Sequence, residues 1–312
     1  MITVVVVTYN SAHLLRGCLS HLSALDDEVD IVVVDNCSSD GSAQAAREAA
    51  PTAKVVERTD NGGFAVAVNE GVRHARGSSV LLLNPDAYIT AGALRALAGS
   101  LSRQADVGAI APLVTPSGPV RPTIAAGSAP TIIRMMTHMS GLSTLPLRAL
   151  RGHYAQLRHV LRSSGSIDVE WVSGGCVLVR RAALESIGGL SERWFMYAED
   201  IDMCLKLKDA GWRVALDSEV NATHETGQSS AGQDGRVSTL WLENLFDLYC
   251  VRYSPGTFRR TIWLLTTWGG FQARHLAYRH RDRYQAERFR IYASSAARLM
   301  SRRALPIRQA NA

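Results

Sequence analysis

The chain has 312 residues, 46% hydrophobic and 20% charged, which is enough for one large folded unit or two small ones. Its net charge of +6 is unevenly placed: thirteen arginines and two acids from Cys250 onward give the tail +11, leaving −5 on the preceding 249 residues. An acidic body with a basic tail excludes a nucleic-acid-binding core and points to an anionic surface or a phosphorylated substrate, while five scattered cysteines without a C-x-x-C pair argue against a zinc site or disulfide framework.

Met1 and Ile2 lead straight into Thr3-Val4-Val5-Val6-Val7, with no basic n-region or cleavage site, so no secretory signal is expected. The β-branched run over 3–7 predicts a strand buried on both faces. Leu14, Leu15, Cys18, Leu19 and Leu22 mark one face of a helix. A second buried strand over 31–34 ends on Asp35-Asn36-Cys37-Ser38, and a helix over 43–50, broken by Pro51, leads to a third strand near 54–57. Asn61-Gly62-Gly63-Phe64 opens a helix over 65–76, and the fourth strand, 80–83, ends on Asn84-Pro85-Asp86. This alternation predicts βαβ units and an α/β, mainly parallel, doubly wound sheet.

Polar residues collect where those strands end, at Thr8-Tyr9-Asn10, Asp35-Asn36 and Asn84-Pro85-Asp86. Open α/β sheets bind ligands beyond the carboxyl ends of their strands, so the placement suggests a nucleotide site. The dinucleotide fingerprint G-x-G-x-x-G is missing after the first strand, which reads Thr8-Tyr9-Asn10-Ser11-Ala12-His13, and no P-loop motif occurs. The ordinary NAD and P-loop readings fail.

Residues 115–166 form a looser excursion, with Pro116, Pro119, Pro122 and Pro130 and a basic helical stretch over 148–162, expected on the acceptor side. Order returns with a strand over 167–172, a tight turn at Ser173-Gly174-Gly175 and an apolar strand over 176–181. Next come Trp194, an aromatic run and three carboxylates, Glu199, Asp200 and Asp202, at the start of a helix whose apolar side holds Ile201, Cys204 and Leu205 and which Gly211 ends. Acids at a helix start suit a base facing a cleft and equally suit a plain cap. Short strands over 213–216 and 219–223 lead to His224.

A first domain is therefore drawn over 1–235 and a helical, arginine-rich extension over 236–312. In the extension the apolar stretch 262–271 is half the length needed to span a bilayer. Its Trp and Phe beside clustered arginines fit an in-plane interfacial segment on an anionic membrane; a helix packed on the body is the alternative.

Taken together, residues 4–11, 32–42, 61–71, 84–86, 171–181, 195–212 and 224–229 resemble the family 2 glycosyltransferases of GT-A fold, and within them the bacterial rhamnosyltransferase-like branch acting on polyprenyl-diphosphate sugars. Each motif alone is weak; their order and spacing carry the resemblance, which covers about residues 2–230. It implies a dTDP- or UDP-sugar donor, a lipid-linked saccharide acceptor and a divalent cation, Mg²⁺ or Mn²⁺. Asp35 would accept the N3–H of uracil or thymine, which cytosine lacks, although the same side chain could close an Asx turn with Ser38. Thr8, Asn10, Asn61, Gly62, Asn69 and Asn84 would line the donor cleft, with Gly174 and Gly175 letting backbone approach the sugar or pyrophosphate. Asp86, in a motif whose first position is Asn84 rather than Asp, and His224 would hold the metal. Asp200 would be the general base of an inverting transfer, with Glu199 and Asp202 tuning it or binding acceptor hydroxyls. Trp171 and Trp194 would offer flat faces to the acceptor, or belong to the core.

The resemblance thus implies a cell-envelope rhamnosyltransferase, cytoplasmic and peripheral on the inner face of the membrane. Two other readings stay open: a UDP-hexose or UDP-N-acetylhexosamine transferase, and a catalytically silent GT-A scaffold.

Overall fold

A computed structural model describes residues 1–22, 25, 28–115, 126–145, 147–156, 160, 165–224 and 237–301. The N-terminal half follows the expected alternation: β1 (Ile2–Thr8), α1 (Ala12–Ser20), β2 (Val29–Asp35), α2 (Ser42–Ala49), β3 (Lys54–Glu57), α3 (Phe64–Arg73) and β4 (Ser79–Leu83). Then come β5 (Ala87–Tyr88), α4 (Ala91–Ser102), β6 (Val107–Thr115), β7 (Ala126–Gly127), α5 (Ile132–Met139), β8 (Ser166–Val169), β9 (Trp171–Val172), β10 (Cys176–Arg180) and α6 (Arg181–Ser186). The acidic helix is α7 (Glu199–Asp209), followed by β11 (Arg213–His224), α8 (Leu240–Tyr253), α9 (Thr257–Tyr278) and α10 (Arg283–Ser301).

The main sheet has nine strands in the order β3-β2-β1-β4-β10-β6-β11-β5, with β8 also on β11. β3, β2, β1 and β4 are mutually parallel and β11 runs parallel to β6, whereas β10 is antiparallel to both its neighbours. The strand period of two sorts the β-branched run onto two cores. Val5, Val7, Val32, Val34 and Leu82 face α3, α7 and the C-terminal helices. Val4, Val6, Ile31, Val33 and Leu83 face α1, α2 and α4. Chain order reverses between β1 and β4, which opens a crevice at their carboxyl ends, and the polar strand-end residues lie there.

Two expectations are revised. The strand expected over 167–172 is two, β8 on β11 and β9 on β7 in a separate two-stranded sheet, and after the turn at Gly174 and Gly175 β10 inserts between β4 and β6. The segments 213–216 and 219–223 are one strand, interrupted by a register shift between Asp217 and Asn221. The basic stretch 148–162 is described only in part, as a 3₁₀ turn at Arg148–Leu150, and the remainder lies largely outside the described residues.

The C-terminal helices pack on the body. Trp263 is fully buried and its indole N–H donates to the Pro130 carbonyl at 2.8 Å. Gly270 sits where a Cβ would lie 2.5 Å from the Met139 Cβ, so its missing side chain lets α9 seat on α5. Phe271 meets Tyr292 of α10, ring centroids 5.3 Å apart. Burying side chains of this size stabilises by about 1.5–3 kcal/mol each, so the inner face of α9 belongs to the protein core. Among the described residues no helix is long and apolar enough to cross a membrane.

Candidate active site

One side of the crevice is built by two strand ends. β4 ends at Leu83, the chain turns through Asn84-Pro85-Asp86, and β5 pairs antiparallel with the end of β11, setting Ala87 opposite His224. That register brings Asp86 Oδ1 to 2.9 Å from His224 Nε2, with Asp86 fully buried. A hard divalent ion with bonds of about 2.1 Å holds neighbouring ligands about 3 Å apart, so the pair fits two adjacent positions of such an ion. Among the described residues there is no cluster of three or more metal-ligating side chains, so an ion held by this pair would need substrate oxygens or water at its other positions. Residues 225–229 of the His224 motif lie outside the described residues.

Gly174 and Gly175 connect this side to the acidic helix. The Asn84 N–H donates to the Gly175 carbonyl at 2.9 Å, and a Cβ on Gly175 would lie 2.9 Å from His224 Cε1. The next residue back, Gly174, donates its N–H to Asp200 Oδ2 at 3.0 Å, and Ile201 donates to Oδ1 at 2.8 Å. Asp86 and Asp200, 114 positions apart in sequence, therefore meet across one Gly-Gly dipeptide.

The turn into α7 is strained. Tyr197 and Ala198 have φ of 68° and 77°, left-handed conformations that cost about 1–3 kcal/mol each in a non-glycine residue. Neighbours fix the turn: Phe64 N–H donates to the Phe195 carbonyl at 2.9 Å and Asn244 Nδ2 to the Met196 carbonyl at 2.7 Å. Gly63, φ 88°, allows the first contact, since a Cβ there would lie 2.3 Å from the Phe195 oxygen. Burial, reinforced by the charge of Asp200, pushes the Glu199 carboxyl up to about 8. Burial also raises Asp200, against the pull of the backbone N–H groups of Gly174 and Ile201. Glu199 Oε2 has no hydrogen-bond partner, so of two adjacent carboxyls Asp200 is the better placed to carry the negative charge and Glu199 the proton.

On the other side of the crevice, the loops after β1 and β2 are tied together. Asn10, φ 48°, donates its N–H to Ser38 Oγ at 2.9 Å, and its side-chain oxygen accepts from the Ser39 N–H at 2.9 Å. Asp35 is buried and bonded to the Ser38 hydroxyl, so the Asx-type turn does form. Asn61 accepts from Asn36 Nδ2 at 2.6 Å and from the Gly63 N–H at 3.2 Å, while Gly62 backs on the Arg58 guanidinium. Thr8 Oγ1, Asn36 Oδ1 and Arg58 Nε are buried without a partner. Orphaned polar atoms at strand ends mark where a ligand or water completes the bonding. Sequence reasoning counted Asn36 among the polar strand-end residues and Ser38 only as a turn partner of Asp35, and it missed Arg58 and Gly63, which no local pattern marks.

Other expected residues are placed differently. Both polar atoms of the Asn69 amide are committed to Leu190 (N–H and C=O, each 2.9 Å), with Glu192 at the same distance, so it fastens α3 to the 188–192 loop and does not join the cleft. Trp171 is 4% exposed, donates to the Ser128 carbonyl and stacks near His153 and Tyr154; Trp194 is 5% exposed and donates to Asp247. Neither indole presents a face to an acceptor, because each spends its N–H and both ring faces inside the fold. Asp202 pairs with Lys206 one turn along α7, at 2.8 Å, and at two residues from Asp200 it leaves the helix on nearly the opposite side.

With this geometry in view, the chain was compared with known proteins. A model described as glycosyl transferase family 2 matches residues 3–188, and one described as glycosyl transferase family 21 matches residues 143–236. The chain is 32% identical over 247 residues to the N-acetylglucosaminyl-diphospho-decaprenol L-rhamnosyltransferase of Mycobacterium tuberculosis, covering 75% of this chain and 78% of that protein. In fold it is similar to the mannosyltransferase PcManGT from Pyrobaculum calidifontis, solved with GDP-Man and Mn²⁺ (TM-score 0.60, 19% identity, 96% of this chain and 86% of that one). It is also similar to GalNAc-T7, solved with UDP, GalNAc and Mn²⁺ (TM-score 0.53, 13% identity, 81% and 50%). These likenesses agree with the mostly parallel sheet in assigning the GT-A fold. A family model spanning more than half of the chain, and a relative of that identity over three quarters of it, establish that the chain belongs to glycosyltransferase family 2.

Proposed function

We propose that the chain is an inverting transferase that moves L-rhamnose from dTDP-L-rhamnose to a hydroxyl of a lipid-linked envelope saccharide at the inner face of the cell membrane. The sugar and acceptor class are supported by the mycobacterial relative, whose name states an L-rhamnosyl transfer to a diphospho-decaprenol sugar. The reducing side of the membrane is supported by five cysteines that are all free.

The observation that carries the chemistry is the meeting of the Asp86–His224 pair and Asp200 at Gly174 and Gly175. In this reading Asp86 and His224 hold Mg²⁺ or Mn²⁺, which when bound neutralises charge on the departing diphosphate. Asp200 takes the proton of the acceptor hydroxyl. The freed oxygen bonds to the anomeric carbon on the face opposite the diphosphate, and the carbon–oxygen bond to phosphate breaks with its electron pair leaving on the nucleotide. The turn of Tyr197 and Ala198 holds Asp200 in place, and Glu199 keeps a proton beside it. Asp35, Thr8 and Asn10 sit on the base and ribose, and Asn61 with Gly62 and Asn84 line the path to the diphosphate.

The experiment is a donor panel of dTDP-L-rhamnose, UDP-glucose and UDP-N-acetylglucosamine with a polyprenyl-diphosphate N-acetylglucosamine acceptor, with and without Mn²⁺ or Mg²⁺, read by product mass. A deoxyhexose increment that needs the cation is expected. A hexose or N-acetylhexosamine increment exceeding it refutes the rhamnosyl assignment, and no increment from any donor favours a silent scaffold.

A further inference from the structure

Helix α9 is apolar on two sides. Trp263, Leu264, Thr267, Gly270 and Phe271 are buried against the body. At about 100° per residue, Phe258, Leu265, Trp268 and Leu276 fall in a stripe roughly opposite, and they are 77%, 48%, 38% and 56% exposed. A helix seated on a core from one side normally turns charged residues to the other. Here the outer stripe carries no charge, with only the neutral Thr261 and Gln272 among its apolar residues, and charge sits at its ends: Arg259 and Arg260 at the start, Arg279 and Arg281 past the finish. The adjoining helix α5, seated on α9 through Met139, repeats the pattern with Ile133 and Met136, 67% and 49% exposed.

Charge separates the occupants such a face could take. No acid occurs between Asp106 and Asp168, nor between Asp247 and Asp282; in the second stretch Arg252 is paired with Asp209 and Arg274 turns inward onto the His138 carbonyl, which leaves Arg259, Arg260, Arg279 and Arg281 exposed at the ends of the stripe. The rest of the body is acidic, so the absence is local. A second copy laid on this face would bring arginine against arginine. An anionic surface meets both requirements at once, taking apolar side chains at the headgroup–acyl boundary and pairing phosphates with guanidinium groups.

We infer that the outer stripe of α9, with the exposed side of α5 beside it, docks in the plane of an anionic lipid bilayer. The inner face stays on the protein and no helix enters the hydrocarbon lengthwise, so attachment is peripheral and reversible. The inference is independent of the donor and of the reading of the catalytic cleft, because vesicle binding needs neither substrate.

The test is sedimentation of the full chain with vesicles of phosphatidylcholine alone and of phosphatidylcholine with phosphatidylglycerol in equal parts. Binding to the anionic vesicles at least about tenfold tighter than to the neutral ones, weakening as salt is raised, is the expected result. The double variant Leu265→Glu/Trp268→Glu, whose positions are exposed, is expected to keep the wild-type melting midpoint and lose about tenfold or more in vesicle binding. Arg259→Gln/Arg260→Gln is expected to lose on the order of tenfold while leaving any neutral-vesicle binding unchanged. Equal binding to both vesicle types, wild-type binding by Leu265→Glu/Trp268→Glu, or a wild-type dimer that this variant dissociates in sedimentation velocity would overturn the inference, the last in favour of a second copy.

Discussion

At the scale of single residues, two contacts decide what the crevice can do. Gly175 is the wall behind His224, and a methyl group there meets the imidazole at 2.9 Å. Gly175→Ala is therefore expected to leave the fold intact and weaken Mn²⁺ binding about 10–100-fold, the usual effect of disturbing the shell around a ligand. Titration of Mn²⁺ in the presence of dTDP measures it, and unchanged affinity would remove His224 from the ligand set. The second contact is the Glu199–Asp200 neighbourhood. The folded chain raises Glu199 from an ordinary 4.5 to about 8, so between those values the folded state binds a proton the unfolded state has released. Stability from this group is complete at low pH and is lost as pH rises through about 8. The melting midpoint of the wild type is expected to fall over that interval, and Glu199→Gln, which cannot ionise, to flatten the fall. A variant slope identical to the wild type would show that Glu199 does not hold the proton.

At the scale of elements, the inner face of α9 fastens the tail to the body. Trp263→Ala removes a fully buried indole and its bond to the Pro130 carbonyl, a loss expected to cost about 3–5 kcal/mol in urea unfolding. A cost near zero would mean that the tail is not part of the cooperative unit. Much of this level was legible in the sequence. β1, β2 and β4 announce themselves as unbroken β-branched or leucine runs, because a strand buried on both faces needs no alternation. β11 was split in two because Asp217, Ser218 and Glu219 look like a turn, whereas they form a bulge that only the partner strand β6 reveals. The stretch 167–172 read as one strand for a similar reason: local sequence does not say that β8 and β9 pair with different partners. The indoles of Trp171 and Trp194 were equally ambiguous, since an aromatic beside a site and one supporting it from behind have the same sequence; their satisfied N–H groups settle the matter. Asn69 fell within a motif and yet serves a loop 121 residues away. By contrast Asp35, Asp86, Asp200 and His224 could be picked out through the order of motifs in a family, although the register of β5 on β11 that unites two of them could not.

At the scale of the whole molecule, the strand reversal between β1 and β4, the inserted β10 and the strained entry to α7 converge on one edge of one sheet. The loops after β1 and β2, the Asp86–His224 pair and Asp200 are all set along that edge, while the basic, apolar outer side of the tail lies on a separate element. The arrangement supports a division of labour in which the cleft performs transfer and the tail sets where it happens. The central claim is that Asp200 deprotonates the acceptor across from a cation-bound nucleoside diphosphate. Its most direct test is the rate of sugar transfer by Asp200→Asn at saturating donor and Mn²⁺, with dTDP·Mn²⁺ binding followed on the same sample. The expected result is transfer slowed about 10²–10⁴-fold with nucleotide binding and melting midpoint unchanged. Transfer at the wild-type rate by a folded Asp200→Asn protein would contradict it.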